Sequence, residues 1–135
     1  MDRTMGVKIA DSNKSKYAVY LRADASSIVD ALKTDPTGKT RSISSILAGM
    51  VSEYRRIKEA RPGAIEQARV YVNRKGINFA DGAYTGKVQV YLDPEDGKCL
   101  EDYARDRADG NVSIGINKLI AEYVAIAVVC PGAMR

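Results

Sequence analysis

The chain has 135 residues, 45% of them hydrophobic and 28% charged, with a formal net charge of +4. A chain of this length can bury a hydrophobic core without metals or disulfides, so one compact domain is expected. Histidine is absent, and Cys99 and Cys130 lie far apart without CxxC spacing. The composition argues against a zinc site, a cofactor or a histidine-based enzyme, and the positive charge favours polyanions such as nucleic acid.

Residues 1–15 form a basic amino-terminal arm in this interpretation. They lack the apolar stretch of a secretion signal, and the longest apolar run, Tyr123 to Cys130, is shorter than a membrane span requires. We therefore expect a cytoplasmic protein that has no membrane partner.

The first unit, residues 16–64, begins with a strand whose residues alternate between apolar and outward positions. Tyr17, Val19 and Leu21 share one face. A short helix follows and ends near 36–38, and a longer helix, capped by Ser42, runs to Pro62-Gly63. The apolar stripe of the longer helix has helical spacing and consists of Ile43, Leu47, Met50, Val51 and Tyr54.

Residues 65–86 connect this unit to the rest of the chain. Val70-Tyr71-Val72, the turn residues 73–76 and Ile77-Asn78-Phe79 predict a β-hairpin. Basic side chains here and in the arm could contact phosphates that flank a binding site, although for any single residue simple solvent exposure is the favoured alternative. These candidates are Lys14, Arg69, Arg74 and Lys75.

The second unit, residues 87–135, repeats the first. The segment from Lys16 to Leu21 returns as Lys87 to Leu92, with four of six residues identical. Glu53-Tyr54 matches Glu122-Tyr123, and the Pro-Gly-Ala at 62–64 matches that at 131–133. A lone strand cannot satisfy its backbone, so strands 16–22 and 87–92 should pair antiparallel over four helices, giving an α+β fold.

The order of strand, short helix, turn and longer helix resembles the ribbon-helix-helix family of Arc and MetJ type. Both units, 16–64 and 87–135, carry the pattern, so the chain is similar to tandem single-chain members such as the TraY-type accessory proteins of the conjugative relaxosome. The resemblance implies two ribbon-helix-helix units in one chain, whose intramolecular ribbon enters the DNA major groove. The implied partner is double-stranded DNA.

Side chains on the outward face of the ribbon are the candidate base readers. Lysine can donate to guanine, glutamine can pair with adenine, and tyrosine can meet a thymine methyl or a phosphate. Solvated strand positions and, for the tyrosines, cross-strand packing are the alternatives. Because Ala18 and Gln89 are equivalent yet different, the preferred site should be an imperfect repeat. The candidates are Lys16, Ala18, Tyr20, Arg22, Lys87, Gln89 and Tyr91.

The amino ends of the longer helices are expected to bind DNA phosphates, since free amides and the helix dipole favour anions there. Helix capping is an alternative role that can coexist with phosphate binding. The candidates are Thr40, Arg41, Ser42 and Ser44 in the first unit, and Asn111 and Ser113 in the second.

A protein-interaction module, antitoxin-like or a scaffold, is the alternative function. Helix 112–129 is more apolar at its end than its counterpart, which suggests a partner, self-association or packing against residues 65–86. Enzyme activity is not expected. The pattern leaves transcriptional repression, plasmid partition and conjugative DNA transfer open, as well as the DNA sequence.

Overall fold

The computed structural model describes residues 14–34, 36–79 and 82–134, so the predicted arm lies mostly outside the described residues. The fold is α+β. In the described ranges it has strands β1 (Ser15–Arg22) and β2 (Tyr84–Leu92), helices α1 (Ala23–Ala31), α2 (Ile43–Ala60), α3 (Pro62–Lys75), α4 (Pro94–Arg107) and α5 (Val112–Val129), and a final 3-10 turn (Pro131–Met134).

The two strands form an antiparallel ribbon, which confirms the predicted pairing. Ala18 lies opposite Gln89, and the register shifts after Leu21. Alternation places one side of each strand against the helices. The buried side includes Val19, Leu21, Val90 and Leu92.

The longer helix of each unit packs against the strand of the other unit. Helix α2 of the first unit packs against β2, and α5 of the second packs against β1. Their apolar stripes meet in a single core, to which Leu47, Val51, Ile116 and Ile120 contribute fully buried side chains. The two units are therefore one folded domain, because each strand depends on a helix from the other unit.

Both longer helices begin where their cap residues predict. The Ser42 hydroxyl accepts a hydrogen bond from the Ser45 amide (3.1 Å), and Asn111 Oδ1 accepts one from the Ile114 amide (2.9 Å). Each cap satisfies an amide that the first helical turn leaves unpaired.

The predicted hairpin at 70–79 is wrong, because helix α3 occupies most of this segment. Pro62 ends α2 and also provides the first turn of α3, where a missing amide proton costs nothing. Gly76 ends α3 in the left-handed conformation (φ 68°). Ala64, Ile65 and Ala68 have helical spacing and are buried. The described residues thus contain five α-helices, where four were expected.

Helix α3 accounts for the apolar end of α5. These two helices pack extensively together, and Ala125 and Ile126 are buried. The counterpart end of α2 is charged, and there Arg55 Nε lies 2.6 Å from Asp96 Oδ1 on α4. The two helix ends therefore differ because different elements cover them.

By length and composition, α5 could cross a membrane, so the expectation that no segment is long and apolar enough is wrong for this helix. Half of it is buried inside the fold. A core helix has the same properties, so the composition of α5 is weak evidence for a membrane span.

Candidate nucleic-acid interface

Six of the predicted base readers lie together on the exposed face of the ribbon. Tyr20 and Tyr91 expose 44% and 49% of their surface, whereas Val19 on the opposite face exposes none. Two of the six are lysines and none is acidic. The exposed set is Lys16, Ala18 and Tyr20 on β1, and Lys87, Gln89 and Tyr91 on β2.

The register arranges these side chains around an approximate twofold axis. Lys16 is opposite Tyr91, and Tyr20 is opposite Lys87, so each end of the ribbon presents one lysine and one tyrosine. The central pair is Ala18 and Gln89. The ends of the ribbon are therefore chemically alike, and its centre is not.

The tyrosines on this face also make contacts within the protein. The ring of Tyr20 packs edge-on against Tyr84, with 5.4 Å between centroids. The Tyr91 hydroxyl donates to Gln89 Oε1 at 3.3 Å. Cross-strand packing is thus present for Tyr20, and both rings remain about half exposed.

Arg22 does not join the exposed row, contrary to expectation. Its guanidinium stacks over the Tyr84 ring at 3.6 Å, donates to the Tyr84 hydroxyl at 2.8 Å and donates to the Gly82 carbonyl. Arg22 is half-buried beside the register shift, where the ladder is irregular. These contacts make it a link between the two strand ends.

Tyr84 is an exposed aromatic residue that the sequence analysis missed. It begins β2, three residues before the predicted strand, and 52% of its surface is exposed. Gly86, with φ 152°, separates it from the regular alternation. Tyr84 and Thr85 favour strands, and this was the available signal.

The predicted phosphate contacts differ in the groups that they bind within the protein. Ser42 and Asn111 cap their helices, as described above, and Ser113 accepts a hydrogen bond from the Tyr20 amide at 3.0 Å. The start of α5 therefore lies at the edge of the ribbon. Thr40 forms an isolated antiparallel β-bridge with Thr34. The side chain of the exposed Arg41 donates a hydrogen bond to the Leu32 carbonyl at 3.2 Å. Ser44 is half-buried.

Asn117 strengthens the attachment of α5 to the ribbon. This fully buried side chain accepts from the Arg22 amide (2.9 Å) and donates to the Tyr20 carbonyl (3.0 Å). It thereby pairs backbone groups on the outer edge of β1, which β2 cannot reach. The equivalent residue of the first unit is Ala48, so this attachment belongs to one side only.

Among the predicted flanking contacts, Arg69 is engaged inside the protein. Its Nε lies 3.1 Å from Glu122 Oε1, and this contact removes it from the candidate phosphate ligands. Lys14, Arg74 and Lys75 are exposed, the last near the Tyr71 ring.

The partner of Arg69 belongs to a buried polar network that the sequence did not predict. Glu122 is 3% exposed and accepts hydrogen bonds from Tyr54 (2.6 Å) and Tyr103 (2.7 Å). Burial, followed by the charge of Glu122, raises the pKa of both tyrosines. Because its oxygens are already bonded, Glu122 has a structural role.

A cleft of about 390 Å³ lies between α3 and α5, with no ribbon residue in its walls. Within the described residues, no cluster of three or more His, Cys, Asp or Glu side chains could hold a metal. Burial raises the pKa of the Cys99 thiol, as expected for a core residue rather than a reactive one. The polar lining of the cleft between α3 and α5 includes Asn73, Asn78, Arg107, Lys118 and Glu122.

Comparisons with protein-family models, curated proteins and solved structures give no match for this chain.

Proposed function

We propose that this protein binds double-stranded DNA by inserting the β1–β2 ribbon into the major groove. The observation that carries the proposal is the division of the ribbon into an apolar buried face and an exposed face of lysine, tyrosine and glutamine. Strands lie about 4.8 Å apart, so a two-stranded ribbon fits a groove about 12 Å wide.

The proposal includes a tandem ribbon-helix-helix architecture. A strand followed by two helices occurs twice, and the longer helix of each unit supports the strand of the other. Helix α3 is an addition between the units. One chain would then do what two identical chains do in the family that the sequence resembles.

Each group of side chains has a role in this proposal. Lys16 and Lys87 donate to guanine O6 and N7, and Gln89 contacts adenine. The amides at the starts of α2 and α5 bind phosphates on either side of the groove. The start of α5 is close enough to the ribbon for this role, since Ser113 contacts the Tyr20 amide.

Transcriptional repression, plasmid partition and conjugative DNA processing all use such a binding surface. A neighbouring gene for a relaxase or a partition ATPase would identify the process.

A second candidate function is protein binding through α3 and the end of α5. Val70 and Val128 are 59% and 57% exposed, and a shallow groove of about 350 Å³ runs between Val70, Tyr71 and Val129. Exposed apolar side chains that lie together are common at protein interfaces. This surface could recruit a partner in addition to DNA.

The test is a titration of labelled duplexes at several salt concentrations with wild type and Lys87→Ala. Wild-type affinity should fall steeply as salt rises, because bound lysines displace counterions. Lys87→Ala should weaken binding to the preferred duplex by about 1–3 kcal/mol and relax the base preference at the position that Lys87 contacts. Lys58→Ala is the matched control, since it removes the same charge from the exposed end of α2.

Absence of duplex binding at low salt would refute the proposal and favour the protein-interaction function. Equal effects of Lys58→Ala and Lys87→Ala would show that binding reflects net charge alone and not the ribbon.

A further inference from the structure

The central pair of the ribbon lies on the approximate twofold axis that relates the two units. Ala18 and Gln89 occupy equivalent positions of the repeat and also face each other in the ladder. Only a pair of equivalent residues that face each other can lie on such an axis. Every other pair is exchanged with a second pair by the rotation.

The pairs exchanged by the rotation carry the same chemistry. Lys16 with Tyr91 becomes Lys87 with Tyr20, so the two ends of the ribbon offer the same donors and the same aromatic rings. The two ends are four positions apart along each strand, a distance of about 13 Å. The ends can therefore recognise two separate and equivalent groups of base pairs.

At the centre, the two equivalent side chains differ in their hydrogen-bonding groups, and this difference can affect which bases are recognised. Gln89 presents an amide with two donors and an acceptor, and Ala18 presents only a methyl group. A methyl group cannot form the hydrogen bonds that distinguish one base from another in the major groove. The centre of the ribbon thus offers polar contacts from β2 alone.

The contact with Tyr91 leaves the side-chain amide of Gln89 able to bind adenine. The Tyr91 hydroxyl donates to Gln89 Oε1 at 3.3 Å and so occupies one of the two lone pairs of this oxygen. The second lone pair can accept from adenine N6, while Nε2 donates to adenine N7. Tyr91 lies on the same strand, so this contact also orients Gln89 without help from β1.

We propose that the preferred DNA site has two equivalent half-sites around an asymmetric centre, where Gln89 specifies an A·T pair on one side only. The protein would then bind its site in a single orientation. This inference rests on the proposed DNA binding and adds the class of site, a duplex that is palindromic except at its centre.

The orientation has a structural consequence for the bound complex. Helix α3 begins at the Pro-Gly-Ala that follows α2, whereas the matching Pro-Gly-Ala after α5 lies in a short 3-10 turn. A fixed orientation would place α3 on the same flank of the DNA site in every complex.

The experiment begins by selecting duplexes from a random pool with the wild-type protein. Central base pairs of the selected site are then changed one at a time on either side of the axis. Wild type should lose about 5- to 150-fold in affinity when the A·T pair on the Gln89 side is replaced. The equivalent change on the Ala18 side should alter affinity less than about 3-fold, within the range of a lost van der Waals contact.

Two exposed substitutions alter the symmetry of the protein itself. Gln89→Ala gives a symmetric centre of two alanines and should abolish base preference there while leaving the salt dependence unchanged. Ala18→Gln gives a symmetric centre of two glutamines and should shift the preference to a palindrome with adenine contacts on both sides. Circular dichroism verifies that both variants are folded, which is expected because both positions are exposed.

The results separate the two proposals. If wild type binds no duplex at any salt concentration, the proposed function itself fails. If wild type binds DNA but selects palindromic centres, or if Gln89→Ala keeps the wild-type base preference at the centre, the asymmetric site is refuted while DNA binding stands.

Discussion

The Tyr54 hydroxyl donates to the buried carboxylate of Glu122 at 2.6 Å, joining α2 of the first unit to α5 of the second. The equivalent bond joins Tyr123 to Glu53 at 2.5 Å, so the repeated Glu-Tyr pair crosses between the units twice. The two bonds differ in their surroundings. Glu122 is 3% exposed and Glu53 is half-buried.

Tyr54→Phe should lower the free energy of unfolding by about 1–3 kcal/mol, because a buried carboxylate would lose one of its donors. Tyr123→Phe removes the equivalent hydroxyl from a more solvated carboxylate, and its effect should be smaller. Urea unfolding of both variants measures the difference. An equal or larger loss from Tyr123→Phe would show that burial does not distinguish the two bonds.

Gly115→Ala should destabilise the protein by about 1–3 kcal/mol through overpacking. A Cβ at this position would lie 3.0 Å from Ala104 Cβ and 3.1 Å from Ala104 Cα, where α4 and α5 approach closely. Gly49→Ala is the matched control, since its Cβ would meet nothing within 4 Å. That change should stabilise α2 by about 0.5–1 kcal/mol. Thermal melts of the two variants should therefore shift in opposite directions.

Asn117→Ala should weaken the outer edge of β1. The Arg22 amide and the Tyr20 carbonyl would both lose their partner, at a cost of about 1–3 kcal/mol for a buried unsatisfied group. Hydrogen exchange of the Arg22 amide should accelerate strongly. The exposed Asn73→Ala serves as control and should change neither quantity. Unchanged protection at Arg22 would contradict the role assigned to Asn117.

The protein should lose stability at alkaline pH. Burial, followed by the hydrogen bond to Glu101, raises the pKa of Tyr17 from 10.0 to about 12. The folded state thus holds this proton more tightly than the unfolded state. The contribution is fully present below about pH 10 and is lost as pH rises through about 12.

Urea unfolding across this pH range, with Tyr17→Phe as the comparison, measures the contribution. The variant should show a shallower decline in stability than wild type. If both proteins decline in parallel, ionisation of Tyr17 does not contribute to the alkaline loss.

The elements that follow local rules were predictable from the sequence. Period-two alternation located both strands, and Ser42 and Asn111 marked the starts of α2 and α5. The repeat also gave the pairing of the strands, because each needed a partner and only one was available.

Helix α3 was not predictable by the same rules. The residues Val70, Tyr71 and Val72 favour strands individually, and the turn residues after them are typical of a hairpin. The helix forms because Ala64, Ile65 and Ala68 can cover the apolar end of α5, a contact between segments that are distant in sequence. Tertiary packing therefore outweighed local preference.

The site shows the same division between local and distant effects. Alternation identified the six exposed ribbon residues, but it also assigned Arg22 to the same face, and Arg69 was assigned to DNA because of its charge. Arg22 stacks on Tyr84 and Arg69 pairs with Glu122, partners 62 and 53 positions away. Such pairings depend on the tertiary fold, which brings distant residues together, and they leave no periodic pattern in the sequence.

The exchange of helices between the units also determines how folding depends on the amount of protein. When two separate chains build such a core, the folded fraction falls on dilution, because each half must first meet another. Here residues 65–86 tether the halves, so their effective concentration is fixed by the tether. The folded fraction of the chain should therefore be the same at very low and at high protein concentration.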